Sequence, residues 1–210
     1  MIDTELLKSS IISIIVVLFS LTVHEVSHGY VSYLLGDDTA KRMGRLSLNP
    51  LKHLDPIGAL CMFFFHFGWA KAVPINPNRY KNFRLGTVLV SLAGPVSNLV
   101  LAFLGSLVYV YLWDIKHIYS GVPIDFLEML IVMNVGLAVF NFVPISPLDG
   151  SKILLAFLPE RAYRFVLTYE RFGFIILLIL TSFSFFGGFI NAVEIPILNF
   201  FIRVSEQLIL

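Results

Sequence analysis

Residues 16–36 read VVLFSLTVHEVSHGYVSYLLG. The stretch is apolar enough for the interior of a bilayer, except that His24, Glu25 and His28 sit in its middle. A spanning helix needs about 20 mainly apolar residues, and the run from Ser9 to Leu35 supplies them. Gly36 is a natural helix stop, and Asp37 and Asp38 lead the chain into water. A charged side chain at the centre of a membrane helix costs roughly 2.5–3.5 kcal/mol on insertion scales. The polar triplet therefore needs a partner. His24 and His28 are four residues apart, so on a helix they share one face, a turn apart. That spacing lets two imidazoles hold one zinc ion, with Glu25 beside them as general base. The competing account is a buried polar network that joins helices without metal.

The rest of the chain agrees with a membrane setting. Its 210 residues are 57% hydrophobic and 14% charged, where a soluble domain carries about 25% charged residues. The mean hydropathy is +0.84. These values describe an integral membrane protein. A net charge of +1 gives no pull toward nucleic acid. One cysteine, Cys61, excludes an internal disulfide framework and reads as small apolar filler. The opening MIDTELLKSS shows no small-residue cleavage pattern, so no removable signal peptide is expected. No tract has the length or charge of a soluble domain. A single membrane-embedded domain, 1–210, is the expectation.

Several further tracts follow the first span. Residues 37–56 form a polar loop, and the apolar block 57–68 is too short to span. A re-entrant or strand-like element is expected between the first two long helices. KAVPINPNRYKNFR, residues 71–84, cannot be helical around Pro74 and Pro77. Leu85–Trp113 and Asp125–Val143 read as spans, and a short helix is expected after Gly150. The block 172–210 holds one span, or two if Asn191, Glu194 and Pro196 interrupt it. The fold expected is all-α: a polytopic membrane helix bundle of about 4–6 membrane segments. Residues 37–84 carry eight Lys or Arg, whereas 114–125 carry only Lys116. The positive-inside rule then puts 37–84 and 144–171 in the cytoplasm and the N-terminus outside.

Two histidines leave zinc short of ligands, because a catalytic site uses three protein ligands and keeps one position open. His53, Asp55, His66, Glu128, Asp149 and Glu170 are the candidates. Asp149 stands out in FNFVPISPLDGSKI, between two prolines and a glycine at membrane depth. Irregular backbone is tolerated there only when it is buried in protein or lines a cavity. An aspartate that caps the following helix explains the residue equally well.

HEVSHGY (24–30), GRLSLNPLKHLDPIG (44–58), GWAKAVPINP (68–77), SLAGPVSN (91–98) and NFVPISPLDG (141–150) occur in that order. Together they resemble the site-2 protease family of intramembrane zinc metalloproteases, in its minimal form. The resemblance covers residues from about 20 to 155, most of the chain. It implies one zinc per chain, held by His24, His28 and Asp149, with Glu25 as general base. It also implies that Asn141 stabilises the oxyanion of the tetrahedral intermediate. Ser146 departs from the family pattern, where another proline is common. The resemblance supports the KAVPINP region as a strand edge for an unfolded substrate segment, with Val73, Ile75 and Asn76 as contacts. His53 and Asp55 match family positions and suit a loop-fixing role. Asn98 is a weaker functional candidate, and Gly94 and Pro95 suit helix packing and a kink.

The function expected is endopeptidase cleavage within or beside a transmembrane segment of a membrane protein, in the lipid bilayer. The alternative is a zinc-binding membrane protein without protease activity, a transporter or a scaffold. Glu25 argues against it, because simple binding does not need that residue. Neither the substrate nor the oligomeric state is legible in the sequence.

Overall fold

The computed structural model describes residues 4–56, 58, 70–159, 172, 173 and 175–210, apart from the side chains of residues 184 and 185. The expected re-entrant block, 57–68, lies outside the described residues except for Gly58. Six α-helices can be named: α1 (Thr4–Leu34), α2 (Thr39–Arg42), α3 (Phe83–Val110), α4 (Val122–Phe142), α5 (Asp149–Phe157) and α6 (Ser184–Ile209). No β-strand forms among the described residues. The strand-like element is a single antiparallel bridge between Leu54 and Ala70, beside a hydrogen bond from Lys71 N–H to His53 O of 2.8 Å.

Local chemistry explains the helix ends. At the end of α1, Gly36 takes a φ of +104°. Its N–H donates to Tyr33 O, and the Asp37 N–H donates to Ser32 O, which makes a Schellman motif. The side chain of Asn82 caps α3 by accepting from the Leu85 N–H. Pro123 opens α4, where its missing N–H costs nothing. A π-helical turn, Tyr111–Ile115, extends α3.

Among the described residues, four helical stretches are long and apolar enough to cross a membrane: Thr4–Leu34, Phe83–Ile115, Val122–Phe142 and Phe186–Ile209. The fold is therefore an all-α polytopic bundle. In the last block the chain bends at Ser182 and Phe183, and Asn191, Glu194 and Pro196 lie inside α6. A proline is tolerated within a membrane helix because neighbouring groups re-satisfy the freed carbonyl.

Helix α3 packs against α1, α4, α5 and α6. Its buried positions include Gly94, Ala102, Gly105 and Ser106, small residues that let backbones approach without a hydrophobic driving force. A Cβ on Gly105 would lie 3.2 Å from Ile131 Cγ1 of α4. Ile12 and Val16 of α1 pack with Leu127 and Leu130 of α4, and Ala102 of α3 packs with Val135 and Val139. Large apolar side chains such as Ile11, Ile15 and Phe19 face outward, as lipid contact requires.

Candidate active site

His24 and His28 project from one face of α1 onto the first residue of α5. Their Nε2 atoms are 3.0 Å apart. Asp149 Oδ2 lies 3.2 Å from His24 Nε2 and 3.1 Å from His28 Nε2. All three residues are buried. Among the described residues they form the one group of three side chains able to share a metal ion.

The outer ring nitrogens decide what this cluster can hold. His28 Nδ1 is 2.6 Å from the Val90 carbonyl oxygen, and His24 Nδ1 is 2.6 Å from Asn98 Oδ1. Each Nδ1 faces an acceptor and so carries the proton. The Nε2 lone pairs of the neutral rings then face each other and a carboxylate. With both rings neutral, three acceptors converge with no donor between them, an arrangement that a cation resolves. Two imidazoles and one carboxylate suit zinc, and the outward hydrogen bonds are those of metal-binding histidines. Gly94 shapes the same space: a Cβ there would lie 2.4 Å from His28 Nε2 and 2.6 Å from His24 Nε2.

Asp149 arrives because α5 starts hard against the end of α4. A Cβ on Gly150 would lie 2.3 Å from Phe142 O, so only glycine permits this approach. The short helix begins at Asp149, two residues before the start expected after Gly150, and the Asp149 side chain faces the histidines. Lys152 Nζ stands 3.4 Å from the other carboxylate oxygen, Oδ1.

The triad opens on a cavity of about 1110 Å³ whose lining is mainly apolar and includes Glu25, Asn141 and Ile75. Glu25 is half-buried, and its Oε2 accepts a hydrogen bond of 2.8 Å from the Val73 N–H. Asn141 also lines the cavity, with one Nδ2 proton donated to Leu137 O at 2.9 Å. Val73 is buried, and its side chain packs where a Gly29 Cβ would stand. Asn76 donates its N–H to Asp37 Oδ2 at 2.7 Å, and its Oδ1 accepts from the Asn78 N–H.

The segment that carries Val73 and Ile75 is therefore pinned along its length. Arg45 Nη2 donates to Lys71 O at 2.7 Å and Ala72 O at 3.3 Å. Asp37 is fully buried and also accepts from Ser32 Oγ at 2.9 Å and from the backbone and hydroxyl of Thr39. Burial pushes its carboxyl up, but the donors from Thr39, Asn76 and Ser32 outweigh that and hold it below the usual carboxylate range.

The other candidate ligands stand elsewhere. His53 is buried and donates through Nε2 to Ser47 O at 2.8 Å. Asp55 accepts from the Gly58 N–H, and Glu128 from the Tyr109 hydroxyl. His66 and Glu170 lie outside the described residues. Asn98 had a weak sequence signal, yet it touches His24 directly. Asn134 carried no distinguishing signal, because an asparagine in an apolar helix resembles any interhelical hydrogen bond.

The model of Peptidase family M50 matches residues 112–186, the part that carries Asn141 and Asp149. Relatives in several bacteria bear the description "Putative zinc metalloprotease". YwhC of Bacillus subtilis is 43% identical over 171 residues, 80% of this chain and 78% of the relative. Rip2 of Mycolicibacterium smegmatis is 32% identical over 168 residues, 78% of this chain and 63% of the relative. No solved structure matches. With buried zinc-type ligands among apolar spanning helices and 43% identity across most of YwhC, the chain belongs to peptidase family M50, the site-2 protease family.

Proposed function

We propose that the chain is an intramembrane zinc endopeptidase that hydrolyses a peptide bond within or beside a transmembrane segment of a membrane protein. The carrying observation is the buried convergence of His24, His28 and Asp149 beside Glu25, inside a bundle of spanning helices. His24, His28 and Asp149 hold the metal. Bound zinc supplies Lewis-acid polarisation and makes water a stronger acid at the site. Glu25 takes the proton of the attacking water and passes it to the leaving amine. Its hydrogen bond from the Val73 N–H aims the carboxylate within the cavity. One Asn141 proton is held by Leu137 O, and the other remains for the oxyanion.

The substrate must arrive unwound, since a helix hides its carbonyls in internal hydrogen bonds. Val73, Ile75 and Asn76 offer it an extended edge. Val73 and Ile75 both line the cavity, and the N–H groups of Val73 and Asn76 fix the segment through Glu25 and Asp37. Residues 1–210 work as one membrane-embedded domain. The basic loops put the N-terminus outside and the active site nearer the cytoplasm.

The test compares wild type, Glu25→Gln and Asp149→Ala, purified in detergent, for zinc content and for cleavage of membrane-spanning substrates. The expected pattern is about one zinc in wild type and Glu25→Gln, zinc lost in Asp149→Ala, and cleavage by wild type alone, with Glu25→Gln slowed at least about 100-fold. Zinc retained in Asp149→Ala would refute the third ligand. Zinc bound without cleavage of any substrate would favour the non-proteolytic alternative.

A further inference from the structure

Beneath the metal centre, three side chains from three helices form a closed polar chain. Ser20 of α1, Asn98 of α3 and Asn134 of α4 are each 0% exposed. Asn134 Nδ2 donates to Ser20 Oγ and to Leu130 O, both at 2.8 Å. An amide nitrogen has two protons, so both are spent. Asn134 Oδ1 is thereby turned toward α3, where it accepts from Asn98 Nδ2 at 2.7 Å. The second Asn98 proton points to the Ser20 carbonyl oxygen at 3.4 Å. Asn98 can then offer only its Oδ1 to His24 Nδ1, 2.6 Å away. A ring nitrogen facing a carbonyl oxygen carries the proton, which leaves the Nε2 lone pair toward His28 and Asp149.

We infer that Asn134 is a positioning residue for the metal centre: acting through Asn98, it sets which ring nitrogen His24 presents to the metal and holds that ring in place. The inference rests on the metal-centre role proposed above for His24. Asn134 touches neither the histidines nor Asp149. Its effect comes from direction: each amide in the chain has one orientation that satisfies its neighbours, and reversing one leaves buried donors facing donors. A role limited to gluing α1, α3 and α4 together would not single out the zinc ligands.

The test uses the full chain in lipid nanodiscs. Zinc affinity is measured by competition with a chelator for wild type, Asn98→Leu, Asn134→Leu, the double variant and Asn134→Asp. Each leucine variant is expected to bind zinc about 10–100-fold more weakly. The double variant should lose no more than Asn98→Leu alone, because one residue acts through the other. Asn134→Asp keeps an acceptor for Asn98 in either protonation state and should restore affinity close to wild type. In zinc-loaded wild type with nitrogen-15 histidine, the His24 Nδ1 proton should exchange slowly with water, and faster in Asn134→Leu. Additive losses, an unchanged Asn134→Leu affinity, or rapid exchange in wild type would each overturn the inference, the last without any variant having to fold. Wild type that binds no zinc would overturn the metal centre and this inference together. Zinc bound by wild type with any of those three results would overturn the inference alone.

Discussion

Gly94 is where the smallest side chain has the largest consequence. Any Cβ at this position enters the space between the two Nε2 atoms, at 2.4 Å from one and 2.6 Å from the other. The atoms it meets are ring nitrogens fixed by Val90 O and Asn98 Oδ1, so they have little room to yield. Gly94→Ala should therefore abolish zinc binding while leaving the far-ultraviolet circular dichroism of the bundle unchanged; zinc stoichiometry beside the spectrum checks this. Asn141 has the opposite profile. It lines the cavity without touching the triad. Asn141→Ala should leave zinc content at the wild-type value and lower kcat by about 100–1000-fold, the usual cost of one oxyanion donor. Single-turnover cleavage rates would show it, and a drop confined to KM would remove Asn141 from that role.

At the scale of elements, the extended segment 70–76 has almost no regular structure of its own. It is held by donors and acceptors on other elements: His53 O, Arg45, Glu25 and Asp37. Asp37 joins it to the end of α1, accepting from the Asn76 N–H on one side and from Ser32 Oγ on the other. Its carboxyl lies below the usual range in the docked state, so the undocked state takes up a proton first as the pH falls. The contribution is full above about pH 4, the ordinary carboxylate value, and is lost as the pH drops through the lower docked-state value. The protection factor of the Asn76 amide, followed from about pH 6 to about pH 2, should fall in that window. Asp37→Asn should weaken docking by about 1–3 kcal/mol and flatten the pH dependence. A protection factor that is flat in wild type would remove Asp37 as the anchor.

For the whole molecule, the bundle surrounds α3, which contacts α1, α4, α5 and α6. The zinc-type ligands come from its neighbours α1 and α5, and Gly94 and Asn98 on α3 meet them from below. Orientation in the bilayer follows from charge and not from packing, so it needs its own test. In a Cys61→Ser background, Ser120→Cys should react with a membrane-impermeant thiol reagent from outside intact cells. Ser47→Cys should react only after the membrane is opened. The reverse pattern would invert the proposed topology and move the active site to the outer half.

The membrane setting, the helical class and the paired histidines were all legible in the amino-acid order. Hydropathy and a four-residue spacing are local properties, and neither depends on what the chain folds against. The sequence also marked the end of α1 through Gly36, whose effect is confined to one turn. The family resemblance, carried by ordered motifs, pointed to Asp149. Physics applied to that residue alone left a helix cap as an equal account. Only the tertiary structure brought Asp149 within 3.2 Å of residues 121 and 125 positions earlier in the chain. It alone showed why Gly94 and Gly150 must be glycine, since a forbidden Cβ is defined by another helix's atoms. It alone joined Asn134 to His24, because the direction of a buried amide is set by every donor and acceptor around it and by none of its neighbours in sequence.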